Sequence, residues 1–181
     1  MHRTLLLEQL NRYSVTCEQD QIFLTTTKNF VNNNSRCFER SLDTGHITGS
    51  AWIINSDRTK ALLTLHRGIN KWIQLGGHAD GQTDMHLVSL REAQEESGLS
   101  SIKSLSKDIF DIDIHIIARM HKEPEHYHYD IRFLFEASNQ EELVLSNESK
   151  DLAWIDIREL IDSGVDETIG RMCRKTLSMF K

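Results

Sequence analysis

LGGHADGQTDMHLVSLREAQEESGL, residues Leu75–Leu99, is the stretch whose reading decides the fold. Two glycines and a polar turn lead into a helix that Thr83 or Asp84 can cap and Gly98 can end. At about 100° per residue, Glu92, Glu95 and Glu96 fall within a sector roughly 100° wide. Carboxylates spaced i, i+3 and i+4 repel by a few tenths of a kcal/mol per pair, so a helix selected only for stability avoids them. A hard divalent cation with oxygen ligands, such as Mg²⁺ or Mn²⁺, turns that repulsion into a binding site. Leu87, Leu90 and Ala93 lie opposite the glutamates, whereas Met85 and Val88 share their side, so the helix is expected to be covered on both sides. Partly buried carboxylates carry a desolvation cost that a cation offsets. The competing reading is a solvated acidic face with Arg91 and Arg119 or Arg132 as ion partners, and the glycines that bracket the helix weigh against it.

The stretch resembles the Nudix box of the Nudix hydrolases, G-x5-E-x7-R-E-U-x-E-E-x-G-U with U a bulky aliphatic residue. Gly77 opens it, and Arg91, Glu92, Glu95, Glu96, Gly98 and Leu99 stand in register. Two positions depart: Thr83 replaces the first glutamate and Ala93 the first aliphatic residue. The resemblance implies a Nudix-type α/β/α sandwich with a central mixed β-sheet over roughly residues 46 to 178. It also implies metal-dependent hydrolysis of a pyrophosphate linkage in a nucleoside diphosphate derivative, releasing a nucleoside monophosphate and a phosphorylated remainder. Glu92, Glu95 and Glu96 would bind Mg²⁺ or Mn²⁺, with Glu92 or Glu96 also orienting or deprotonating water. Arg91 would steady a glutamate, and Gly76 would bring a backbone carbonyl to the metal. Glu148 stands where several family members carry a late catalytic or metal-binding glutamate. If a fourth carboxylate is needed in place of Thr83, Asp80, Asp84, Asp130 or Glu148 must supply it. The alternative is a Nudix-fold nucleotide-binding or regulatory module in which catalysis has weakened. Thr83 motivates that alternative, and the three retained glutamates argue against it.

Arg67 and Lys71 flank the turn before the glycine pair and are candidates for holding phosphate, with surface solubility as the plain alternative. His78 and Asp80 lie in the box loop, where Asp80 is either an accessory ligand or a turn-stabilising residue. The run His115, His121, His126, His128, Asp130 is rich in imidazole. On a strand, His126 and His128 point to one face, a spacing suited to zinc. With no cysteine nearby, a polar strand face or a rim that touches substrate is the preferred reading, and His78, His126 and His128 are taken as substrate-binding.

Composition bounds the rest. A chain of 181 residues, 39% hydrophobic and 27% charged, can bury one sizeable core. A net charge of −6 and a pI near 5.8 give no general pull toward nucleic acid or anionic membrane, and the resemblance implies a small-molecule nucleotide as partner. The 3 cysteines are scattered and odd in number, which suggests neither disulfide framework nor zinc knuckle and fits a reducing, cytoplasmic setting. No segment reads as a signal peptide or membrane span.

Residues 1–42 read as a helical extension on a main domain of residues 43–181. Leu5, Leu6, Leu10 and Tyr13 mark a first amphipathic helix, and Glu18–Phe30 a second with Ile22, Phe23 and Phe30 buried. The extension covers apolar sheet surface, shapes a pocket or forms a homodimer contact. Strands are expected at His46–Ile54, Lys60–His66, Trp72–Leu75, Ile109–Ala118, Tyr127–Ala137 and Leu152–Ile155, and closing helices at Ile157–Ile161 and Glu167–Met179. The order strands, helix, strands, helix implies a mixed sheet with helices on both faces.

Overall fold

The computed structural model describes residues 2–119 and 124–180. His121 of the histidine-rich run lies outside them. In chain order the elements are α1 (Thr4–Arg12), α2 (Glu18–Asn33), β1 (Gly45–Asn55), β2 (Lys60–His66), β3 (Trp72–Ile73), β4 (Leu75–His78), α3 (Met85–Ser97) and β5 (Lys103–Ser104). They continue with β6 (Asp111–Ile117), β7 (His126–Ala137), β8 (Ser149–Asp156), α4 (Ile157–Asp162) and α5 (Glu167–Met179). The chain is a mixed α/β fold that divides into two compact units, and β1, α3 and β7 each contribute residues to both.

The first unit comprises Met1–Ser50, Gly77–Ser89 and Ser106–Phe133. In it β6 and β7 pair antiparallel from Asp111↔Arg132 to Ile117↔His126. α2 packs on β6, and Phe30 stacks on Tyr129 with ring centroids 3.9 Å apart. The buried stripe of α2 is Asp20, Leu24, Thr27, Phe30 and Val31, while Ile22 is exposed. Helical spacing from Asp20 places the stripe there, and Asp20 tolerates burial because its carboxylate accepts from the Thr16 amide and hydroxyl at 3.1 and 2.6 Å. Arg132 is fully buried in this unit and pairs with Asp111, Asp113 and Asp130 at 3.2, 3.3 and 2.7 Å. The Thr48 and Ser50 hydroxyls also donate to Asp130.

The second unit comprises Ala51–Gly76, Leu90–Leu105 and Leu134–Lys181. β2 pairs antiparallel with β1, β3 and β8, the last along its whole length from Lys60↔Asp156 to His66↔Ser149. The register slips between Leu65 and His66, leaving Lys150 as an extra residue in β8. β5 pairs with β7 through Ser104↔Phe135; its two residues are too few to show any periodicity in the sequence. Asp156 and Asp166 cap α4 and α5 by accepting amide hydrogen bonds in the first turn. Trp52 is fully buried and its indole N–H donates to the Thr176 hydroxyl of α5 at 2.9 Å. Burying an aromatic side chain of that size contributes roughly 1.5–3 kcal/mol, and the hydrogen bond leaves its polar atom satisfied.

Candidate active site

β4 and α3 position the glutamates. The Asp84 carboxylate caps α3 by accepting from the His86 and Leu87 amides at 3.1 and 3.3 Å. Thr83 makes no such cap bond; its own amide is held by the Gln82 side chain. Gly98 ends the helix at φ +72°, with its amide on the Gln94 carbonyl. Met85, Val88 and Ala93 are buried and Leu87 is half-exposed. Leu87 therefore does not sit on a covered side. The packed stripe runs through Met85, Ser89, Ala93 and Glu96, successive steps of about one helical turn.

That stripe is why the glutamates differ. Glu96 is 7% exposed, Glu92 is partly buried and Glu95 is exposed. The Gly76 amide donates to Glu96 Oε2 at 3.1 Å, so glycine's backbone meets the carboxylate directly. Burial pushes the Glu96 carboxyl up to about 7, the Gly76 hydrogen bond partly offsets that, and the charges of Glu92, Glu148 and Glu95 each add to the rise. Four carboxylates thus act on one another here. Arg91 pairs with Glu92 at 2.6 Å, a contact that fixes one member of the set.

Glu148 reaches this group from the segment before β8, and Arg67 holds that segment. The Arg67 amide donates to the Glu148 carbonyl at 2.9 Å, while its guanidinium donates to the carbonyls of Asn147 at 3.1 Å and Ser149 at 3.0 Å. Arg67 is thus a brace around Glu148, a position that sequence spacing alone did not suggest. Lys71 pairs with Asp166 at 3.5 Å.

The remaining candidates gather in the first unit. His78 Nδ1 lies 2.6 Å from Arg40 Nη2, and Arg40 Nε pairs with Asp80 at 3.0 Å. His126 Nε2 and His128 Nε2 are 3.3 Å apart, and the His78 and His128 ring centroids are 5.1 Å apart. Asp130 is committed to the buried Arg132 cluster. The ion partners of Arg132 are thus aspartates of its own unit rather than the helix glutamates. Sequence reasoning passed over His46, which lies against His78, His126 and His128 with centroid distances of 4.7–5.0 Å.

No family model and no curated protein matches the sequence. Solved structures do match. A Nudix-family hydrolase from Clostridium perfringens is 25% identical, covers 75% of this chain and 98% of its own, and superposes with a TM-score of 0.57. A C. elegans Ap4A hydrolase in a binary complex is 17% identical, with 74% and 96% coverage and a TM-score of 0.58. The Nudix domain of Shewanella oneidensis NrtR, complexed with ADP ribose, is 13% identical, with 86% and 98% coverage and a TM-score of 0.52. The fold of these neighbours is the one that the resemblance of the Leu75–Leu99 stretch implies: this chain has the fold of the Nudix hydrolases.

Proposed function

We propose that this protein hydrolyses a pyrophosphate linkage in a nucleoside diphosphate derivative, using Mg²⁺ or Mn²⁺ held by Glu92, Glu95, Glu96 and Glu148. The observation that carries the reading is the Glu96 carboxyl, pushed up to about 7 by burial and by three neighbouring carboxylates. Arg91 is the cation the structure pairs with this cluster of four carboxylates, and the cluster's donors are all hard oxygens, so the residues fit a hard divalent cation. When bound, the cation neutralises charge on the phosphoryl oxygens and lowers the pKa of water.

The chain's own residues do the rest. Glu96, fixed by the Gly76 amide, and Glu92, fixed by Arg91, are held in one orientation before substrate arrives. Glu96 is buried and held by the Gly76 amide, and either it or Glu92 orients the attacking water or takes its proton. Exposed Glu95 adds charge at the mouth of the site. Arg67 keeps Glu148 in reach.

Neighbours named for Ap4A and for ADP ribose support a nucleotide-derived substrate. The test is phosphate release, after phosphatase coupling, from nucleotide sugars, dinucleoside polyphosphates, dinucleotide cofactors and nucleoside triphosphates with Mg²⁺ or Mn²⁺. Turnover of one class is expected. Binding without turnover across the panel would favour the module reading that Thr83 motivates.

A further inference from the structure

Three strands each deliver a histidine to one place in the first unit: His46 from β1, His78 from β4 and His128 from β7. One ring nitrogen from each lies within 4.8 Å of the others. His46 is 2% exposed, and neither of its ring nitrogens has a hydrogen-bond partner. An unsatisfied buried polar group costs about 1–3 kcal/mol, a cost the fold would escape with any apolar side chain of similar size. Lone pairs that converge on a cation remove it.

We propose that His46, His78 and His128 bind a divalent cation of the imidazole-preferring class, zinc foremost, through residues none of which belongs to the glutamate helix. Neutral imidazoles select zinc over magnesium, whose preferred donors are oxygens. Nitrogens on a tetrahedral zinc sit about 3.4 Å apart, so the three rings must draw closer than their observed spacing when the ion binds. His126 stands beside this set, with its Nδ1 2.9 Å from the Pro124 carbonyl and its Nε2 3.3 Å from His128 Nε2.

At His78 the Arg40 guanidinium, which can only donate, already places positive charge 2.6 Å from Nδ1. Arg40 is half-exposed and also pairs with Asp80, so a cation can displace it from His78 without leaving it buried and unpaired. A cavity of about 30 Å³ adjoins the cluster, lined by Arg40, Asp43, His46, His78 and His126 among others. The proposal holds whether or not the chain hydrolyses pyrophosphates.

The test uses Co²⁺ as a visible probe. The full chain, stripped of metal by a chelator, is titrated with Co²⁺ and then with Zn²⁺. A tetrahedral, nitrogen-rich Co²⁺ site absorbs strongly in the visible, whereas an octahedral oxygen site absorbs weakly. One equivalent of strong absorption is expected, displaced by one equivalent of Zn²⁺. It should persist when Glu92, Glu95 and Glu96 are all changed to Gln, and Co²⁺ affinity should fall about 100-fold or more in His78→Gln and His128→Gln. Weak absorption only, loss of the signal in the glutamate variant, or unchanged affinity in the histidine variants overturns the proposal. Should the His128 variant fail to fold, His78→Gln, at the half-buried end of β4, decides alone.

Discussion

The Gly76 amide donates to Glu96 Oε2 at 3.1 Å, joining the two ends of the box through a single backbone hydrogen bond. It stabilises the charged form of a carboxyl that burial and the neighbouring carboxylates nevertheless hold up at about 7. The folded protein therefore binds the Glu96 proton more tightly than the unfolded chain, whose carboxyl titrates at 4.5. Stability from this group is full below about 4.5 and is lost as pH rises through about 7. In EDTA, thermal midpoints should fall across that window, and Glu96→Gln should flatten the fall. Adding Mg²⁺ or Mn²⁺ at pH 6 should release protons, measurable with an indicator dye.

Glu95 is exposed and lies on no packed stripe. Removing its charge should spare the fold and damage chemistry. Glu95→Gln is expected to lower turnover at least about 100-fold, since even residues that only orient metal ligands cost 10–100-fold. Its thermal midpoint should stay within a few degrees of wild type.

Arg67 offers a sharper test because two roles predict opposite kinetics. A phosphate-holding arginine, when removed, raises KM. A brace for Glu148 lowers kcat by about 10–100-fold and leaves KM nearly unchanged. We expect the second pattern for Arg67→Ala. Arg67→Lys should rescue little, because one ammonium cannot replace the planar fork that reaches the Asn147 and Ser149 carbonyls together.

Arg132 stabilises the first unit by compensating three buried aspartates. Arg132→Met would leave Asp111, Asp113 and Asp130 without their cation. Breaking a buried ion cluster from one side costs about 3–5 kcal/mol, and the urea midpoint should fall accordingly.

Gly98 adopts φ +72°, and a Cβ there would meet Val144 Cβ at 2.6 Å. Gly98→Ala combines a left-handed backbone cost of about 1–2 kcal/mol with that clash. Denaturant unfolding should show at least the backbone cost.

What was legible in the sequence follows from how local each constraint is. The glutamates of α3 could be read because an acidic helix face writes itself into i, i+3, i+4 spacing. The strands with apolar runs, β1, β2 and β7, were equally plain. The buried face of α2 was not, because Asp20 belongs to it only through Thr16, and the eye goes to Ile22 instead. The brace that Arg67 forms depends on a partner segment 80 residues away. His46 is a lone imidazole in sequence and acquires neighbours only when β1 comes beside the segments bearing His78 and His128. An isolated histidine in an apolar strand, together with His-x-His elsewhere, was the available signal.

The first forty residues do more than cover the sheet. The Phe38 carbonyl accepts the Gly81 amide at 2.9 Å, and the Cys37 carbonyl accepts that of Ile47 at 2.7 Å. The loop that feeds α3 is thereby pinned by a residue more than forty positions earlier. Drift in the N-terminal segment can therefore reshape that loop while every glutamate of α3 stays in place, a route by which the chain can change one without the other.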